Sequence, residues 1–76
     1  MHNPTTNFSI VSRLHVLRAE RKITQEELAK AIKVTHATSI AIEKGDYNPS
    51  LQLAFRLARY FGTDINSIFS VKEEKR

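Results

Sequence analysis

Few side chains in this 76-residue chain are arranged to do covalent chemistry. The histidines are His2, His15 and His36, with no carboxylate or second histidine at ligand spacing, so no metal site is expected. There is no cysteine, and no set of residues resembles a nucleophile with its base and orienting group. The glycines of a phosphate-cradling loop are missing as well. Neither an enzyme, nor a cofactor, nor a small-molecule ligand is expected. The stretch THATSIAIEKG at residues 35–45 offers another kind of chemistry. It carries few hydrogen-bond donors and many methyl groups, a combination suited to recognising a surface rather than transforming a substrate.

The charge balance narrows the kind of surface. Twelve Lys and Arg against eight Asp and Glu leave a net charge of +4. A small basic domain fits a nucleic-acid partner, although solubility alone can call for such a charge. With 41% apolar residues the chain is too hydrophobic to be disordered, and its length allows one domain with one small core. The lack of cysteine excludes disulfides and thiolate metal sites and fits a reducing compartment. No apolar run approaches the ~20 residues that span a bilayer, and MHNPTTNFS has no signal-peptide character. A cytoplasmic protein with no membrane partner is expected.

Five helical segments and no strand are expected to position these groups. Ile10, Leu14 and Leu17 recur at helical spacing in a first segment of about residues 9–21. Thr24 with Glu27 three residues on forms a capping box, opening a second helix of about 24–31 anchored by Leu28, Ala29 and Ile32. Thr35 caps a third helix of about 35–43. GDYNPS at 45–50 reads as a surface loop. Ser50 caps a fourth helix whose apolar face is Leu53, Ala54, Leu57, Ala58 and Phe61, stopped by Gly62. Asp64 opens a last short helix with Ile65, Ile68 and Phe69, and VKEEKR is expected to fray. Helices this short are stable only when packed together. The expected division is a flexible arm at 1–8, a folded domain at 9–70 and a charged tail at 71–76.

Thr24 and Thr35 stand eleven residues apart, with a tight turn at Ile32–Lys33–Val34 between their helices. That is a helix-turn-helix pattern. Together TQEELA, AIEKG and YNPSL form a specific signature. From about Ser12 to Phe69 the chain resembles the phage-repressor family of the lambda-repressor and Cro type, also called the XRE family. The resemblance implies an all-α, compact five-helix DNA-binding domain. It implies a transcriptional regulator, expected to be a repressor, that binds double-stranded DNA as a homodimer on a palindromic operator. A helix-turn-helix lays its second helix in the major groove while the first crosses the backbone.

On a helical wheel centred on Ile42, Thr35, Thr38 and Ser39 lie within about 60° of the core direction. His36, Ala37, Ile40 and Lys44 lie opposite, with Ala41 at the flank. The resemblance assigns base contacts to His36, Ala37, Ile40 and Ala41. Members of the family typically carry Arg–Gln or Gln–Gln at the first two, and losing such a bidentate pair forfeits roughly 1–3 kcal/mol of discrimination per base. Methyl contacts to thymine remain, so modest specificity is expected, with phosphates supplying most of the affinity. The phosphate contacts implied by the resemblance are Gln25, Thr35, Thr38, Lys44, Tyr47 and Asn48, with Arg13, Lys22, Lys30 and Lys33 as weaker candidates.

Two further departures from the family lie in and beside this helix. Ser39 faces inward where Ile or Val is usual, at an expected cost of about 1–3 kcal/mol, its hydroxyl expected to bond back to the Thr35 carbonyl. Lys33 occupies a turn position that favours Gly, where a left-handed backbone costs it roughly 1 kcal/mol. The resemblance also implies a partly buried ion pair of Arg18 with Glu43, tying the first helix to the end of the third. Ile65, Phe69 and Val71 exceed what a small core can bury and are the expected dimer surface. The alternative is an antitoxin-type protein-interaction module with secondary DNA binding, since one fold can serve both.

Overall fold

Side-chain caps set the starts of four of the five helices. In the computed structural model, which describes residues 8–73, the elements run β1 (Phe8–Ser12), α1 (Leu14–Arg21), α2 (Gln25–Ile32), α3 (His36–Lys44), α4 (Leu51–Phe61), α5 (Ile65–Ile68) and β2 (Phe69–Glu73). Thr24 Oγ1 accepts the Glu27 amide at 3.0 Å while Glu27 Oε1 accepts the Thr24 amide at 2.7 Å, completing the capping box of α2. Thr35, Ser50 and Asp64 cap α3, α4 and α5 in the same way, each accepting the amide three residues on. Leu14, Leu28, Ile32, Ile42, Leu57 and Ile68 are fully buried and form the centre of the core. Two arginines fasten helix ends to it. Arg56 donates to the Ile32 carbonyl at 2.8 Å, and Arg21 to the Tyr60 and Phe61 carbonyls at 3.2 and 2.6 Å.

The five helices are joined by a two-stranded sheet, so all-α describes the fold only approximately. Strand β1 pairs antiparallel with β2 in the register Phe8↔Glu73, Ile10↔Val71 and Ser12↔Phe69. The helix expected over 9–21 therefore starts only at Leu14, and Val71–Glu73 extend a strand instead of fraying. Ile10 keeps its contact with the core from strand geometry. Ser12 makes the break, its Oγ accepting the Leu14 amide at 3.2 Å. Of the expected arm only Phe8 is described, and residues 74–76 of the expected tail lie outside the described part. Among the described residues no helix is long and apolar enough to cross a membrane.

Lys33 has φ 64°, left-handed as its turn position demands, and its amide bonds back to α2 carbonyls. Lys33→Gly relieves that conformation and is expected to stabilise the domain by roughly 0.5–1 kcal/mol in urea unfolding. A loss of stability would mean that the lysine side chain makes a contact that outweighs the backbone strain.

Candidate nucleic-acid interface

The helix-turn-helix is built by α2 and α3, which pack against each other across the Lys33 turn. The only fully buried residues of α3 are Ser39 and Ile42. His36 and Ala37 at its start are exposed, and Ile40 and Ala41 are half-buried along the same outward side. The side turned away from the core is therefore mainly methyl, with His36 as its one ring donor.

Hydroxyls at the start of α3 are arranged in a directed pair. Thr35 Oγ1 accepts the Thr38 amide at 3.1 Å and donates its own proton to Thr38 Oγ1 at 2.9 Å. The Thr38 hydroxyl proton is left for an outside acceptor. Beyond α3, Lys44, Tyr47 and Asn48 are exposed. Lys44 Nζ stands 3.6 Å from Asp46 Oδ2, an ion pair exposed on both sides and worth little in water.

Glu43 is the most constrained charge of the site. Its side chain is 7% exposed, that of Arg18 20%. Arg18 Nε donates to Glu43 Oε2, and Arg18 Nη2 to Oε1 at 3.1 Å. A third guanidinium nitrogen, Nη1, donates to the Ile23 carbonyl at 3.0 Å. Gln25 Nε2 completes the cluster, donating to Glu43 Oε1 at 2.9 Å. Burial is the largest single influence on Glu43 and opposes its charge. The hydrogen bonds from Arg18 and Gln25, with the Arg18 charge and a smaller effect of His15, together outweigh it and hold the carboxyl below its ordinary range. The bond to Glu43 in turn raises the Arg18 guanidinium, against the opposing effect of burial. The Gln25 link had no signal in the sequence, because its partners lie 18 residues apart on different helices.

Two expectations fail here. The Ser39 hydroxyl has no partner, although its side chain is buried. The Thr35 carbonyl accepts the Ser39 amide at 3.0 Å but not the hydroxyl. Ile65, Phe69 and Val71 do not form one exposed patch. Phe69 is 9% exposed and belongs to the core, and Ile65 packs part-buried against it, leaving only Val71 at 55% exposure. The antiparallel pairing with β1 draws Phe69 inward opposite Ser12.

Together the capped α2, the left-handed turn and an α3 with an outward methyl face define a DNA-binding helix-turn-helix. The comparison with known proteins names the family. A family model described as Helix-turn-helix matches residues 14–68. An uncharacterized HTH-type transcriptional regulator of Methanocaldococcus jannaschii is 47% identical over 64 residues, covering 84% of this chain and 97% of that one. The cryptic phage CTXphi transcriptional repressor RstR of Vibrio cholerae is 39% identical over 62 residues, covering 82% of this chain and 56% of its own length. The crystal structure of transcriptional regulator VanUg has the same fold, with TM-score 0.79 at 21% identity over 97% of this chain and 99% of that one. The chain belongs to the XRE-type helix-turn-helix family of DNA-binding transcriptional regulators.

Proposed function

We propose that this chain is a transcriptional repressor that binds a near-palindromic operator as a homodimer, with α3 in the major groove. The observation that carries the reading is the two-sidedness of α3. Ser39 and Ile42 are buried, while His36 and Ala37 are exposed and Ile40 and Ala41 lie half-exposed beside them. RstR, the immunity repressor of Bacillus phage phi105 and the regulator DicA of Escherichia coli are relatives, and two of these are repressors by name.

In this reading His36 meets a base edge, and Ala37, Ile40 and Ala41 contact thymine methyls. Gln25, Thr35, Thr38, Lys44, Tyr47 and Asn48 hold phosphates on either side and fix the register without reading sequence. Twofold symmetry sets two copies of α3 one DNA turn apart, about 34 Å. The dimer contact involves β2, where Val71 is exposed; a monomer by light scattering at tens of micromolar contradicts that part.

Lys44→Ala separates phosphate binding from base reading. It is expected to weaken binding to all duplexes alike and to lower the slope of log affinity against log salt by about one. A sequence-dependent loss with an unchanged slope would contradict the phosphate role. The methyl contacts are tested by replacing thymine with uracil in a bound duplex. The expected result is weaker binding at the positions under α3; unchanged affinity throughout would remove the methyl-contact reading.

A further inference from the structure

Gln25 stands at the first turn of α2 and is already engaged by a buried carboxylate. Glu43 Oε1 accepts from Gln25 Nε2 at 2.9 Å and from Arg18 Nη2 at 3.1 Å, while Oε2 accepts from Arg18 Nε. An ionised carboxylate only accepts, whereas a glutamine amide has a donor end and an acceptor end. Glu43 therefore admits only the NH₂ end of Gln25. One of its two protons is used, and the second is left for another acceptor. A phosphate oxygen is such an acceptor, and it too excludes the carbonyl end.

We infer that Glu43 is a positioning residue for the DNA-phosphate contact of Gln25, holding the donor end of the amide at the start of α2, with Arg18 fixing Glu43 for that task. The inference rests on the DNA-binding reading above. Glu43 belongs to α3 and Gln25 to α2, so one carboxylate ties the seat of the groove-facing helix to the phosphate anchor beside it. Without the carboxylate charge the amide can turn its carbonyl outward, toward an anion that repels it. Arg18 does not need to touch DNA for this; it donates to both carboxylate oxygens.

Charge alone predicts the opposite sign. Glu43→Gln removes a negative charge from a protein that binds a polyanion, which by itself tightens binding. Positioning predicts weaker binding, and only where Gln25 is present to be positioned. The test is a double-mutant cycle read by fluorescence anisotropy on a mixed-sequence DNA duplex at low salt, with Gln25→Ala, Glu43→Gln and both together. Glu43→Gln is expected to weaken binding roughly tenfold in the chain that keeps Gln25. In the Gln25→Ala background it is expected to leave affinity unchanged or tighter. Equal weakening in both backgrounds would assign Glu43 a purely structural role, and tightening in both a purely electrostatic one; either overturns the proposal.

Should Glu43→Gln fail to fold, the unaltered protein supplies the reading. Proton exchange of the Gln25 side-chain amide by NMR is expected to show one protected and one fast-exchanging proton, and two fast protons overturn the proposal. Failure of the unaltered chain to bind the duplex at low salt is a separate outcome, which overturns the DNA-binding reading and this proposal with it.

Discussion

Arg18→Ala is expected to cost roughly 3–5 kcal/mol of folding stability, because it leaves the Glu43 charge buried and uncompensated. In a domain of this size each 1 kcal/mol lowers Tm by about 4–8 °C, so the variant approaches the limit of a marginally stable fold. The Ile23 carbonyl loses its guanidinium donor in the same step. Urea unfolding of Arg18→Ala and of the Arg18→Ala/Glu43→Gln double variant measures both the loss and its origin. Removing the stranded charge in the double variant is expected to restore part of the stability. A loss under about 1 kcal/mol in the single variant would show an ordinary surface pair and contradict the anchoring of α3 described above.

The same pair gives the domain an acid limit of known sign. The Glu43 carboxyl is held below its ordinary range in the folded state, so the unfolded chain binds more protons as the solution is acidified. Its contribution is complete above the ordinary carboxylate range and is lost as pH falls through the lower folded value. Arg18→Ala is expected to flatten this part of the stability profile.

Ser39→Ala is expected to stabilise the domain by roughly 1–3 kcal/mol, an unusual sign for a substitution in a core. The hydroxyl of Ser39 is buried at 1% exposure of the residue and makes no hydrogen bond, and an unsatisfied buried polar group carries a penalty of that order. Alanine removes the hydroxyl without asking for space and is the better helix former. Ser39→Val adds apolar volume as well and tests how much room the site has. A lower urea midpoint for Ser39→Ala would mean that the hydroxyl is paired in solution, contradicting the account of this site.

The two effects belong together. Ile42 is the only large side chain that α3 buries completely, and the other buried position is occupied by a serine. Little apolar burial therefore holds this helix, and the Arg18–Glu43–Gln25 cluster supplies much of what fixes its far end. Removing a member of the cluster is expected to loosen the far end of α3, while Ile42 still holds its middle in the core. Stability and DNA binding are accordingly expected to respond together to Arg18→Ala, and separately to Lys44→Ala.

How far the sequence could be read follows from the range of each interaction. The caps at Thr24, Thr35, Ser50 and Asp64 act over three residues, and each was legible as a local pattern. The apolar faces of α2 and α4 were legible for the same reason, since one period of 3.6 residues governs them. Strand β1 was not. FSIVS is too short to display its alternation, and Ile10 happens to lie at helical spacing from Leu14 and Leu17. Its conformation is decided by FSVKE at the other end of the chain, whose charges made it look like a tail. The burial of Phe69 was hidden by the same pairing.

The site divides in a similar way. Periodicity placed Ser39 and Ile42 inward and His36 and Ala37 outward, including the misfit of Ser39. It also turned Thr35 toward the core, whereas the structure leaves it exposed at the start of α3. The Arg18–Glu43 pair came from family resemblance, not from spacing, since 25 residues separate its members. The engagement of Gln25 by Glu43 depends on how α2 and α3 pack, and no local pattern encodes it.

The most direct test of the central claim, that α3 reads a DNA half-site, is selection of bound fragments from a random double-stranded pool, followed by affinities at two salt concentrations. The predicted result is a near-palindromic motif with thymines in each half-site, half-site centres one helical turn apart, and affinity that falls as salt rises. Salt-sensitive binding without any enriched motif would contradict base reading by α3 while leaving the phosphate contacts in place. No binding even at low salt would contradict the account as a whole and direct the search to a protein partner.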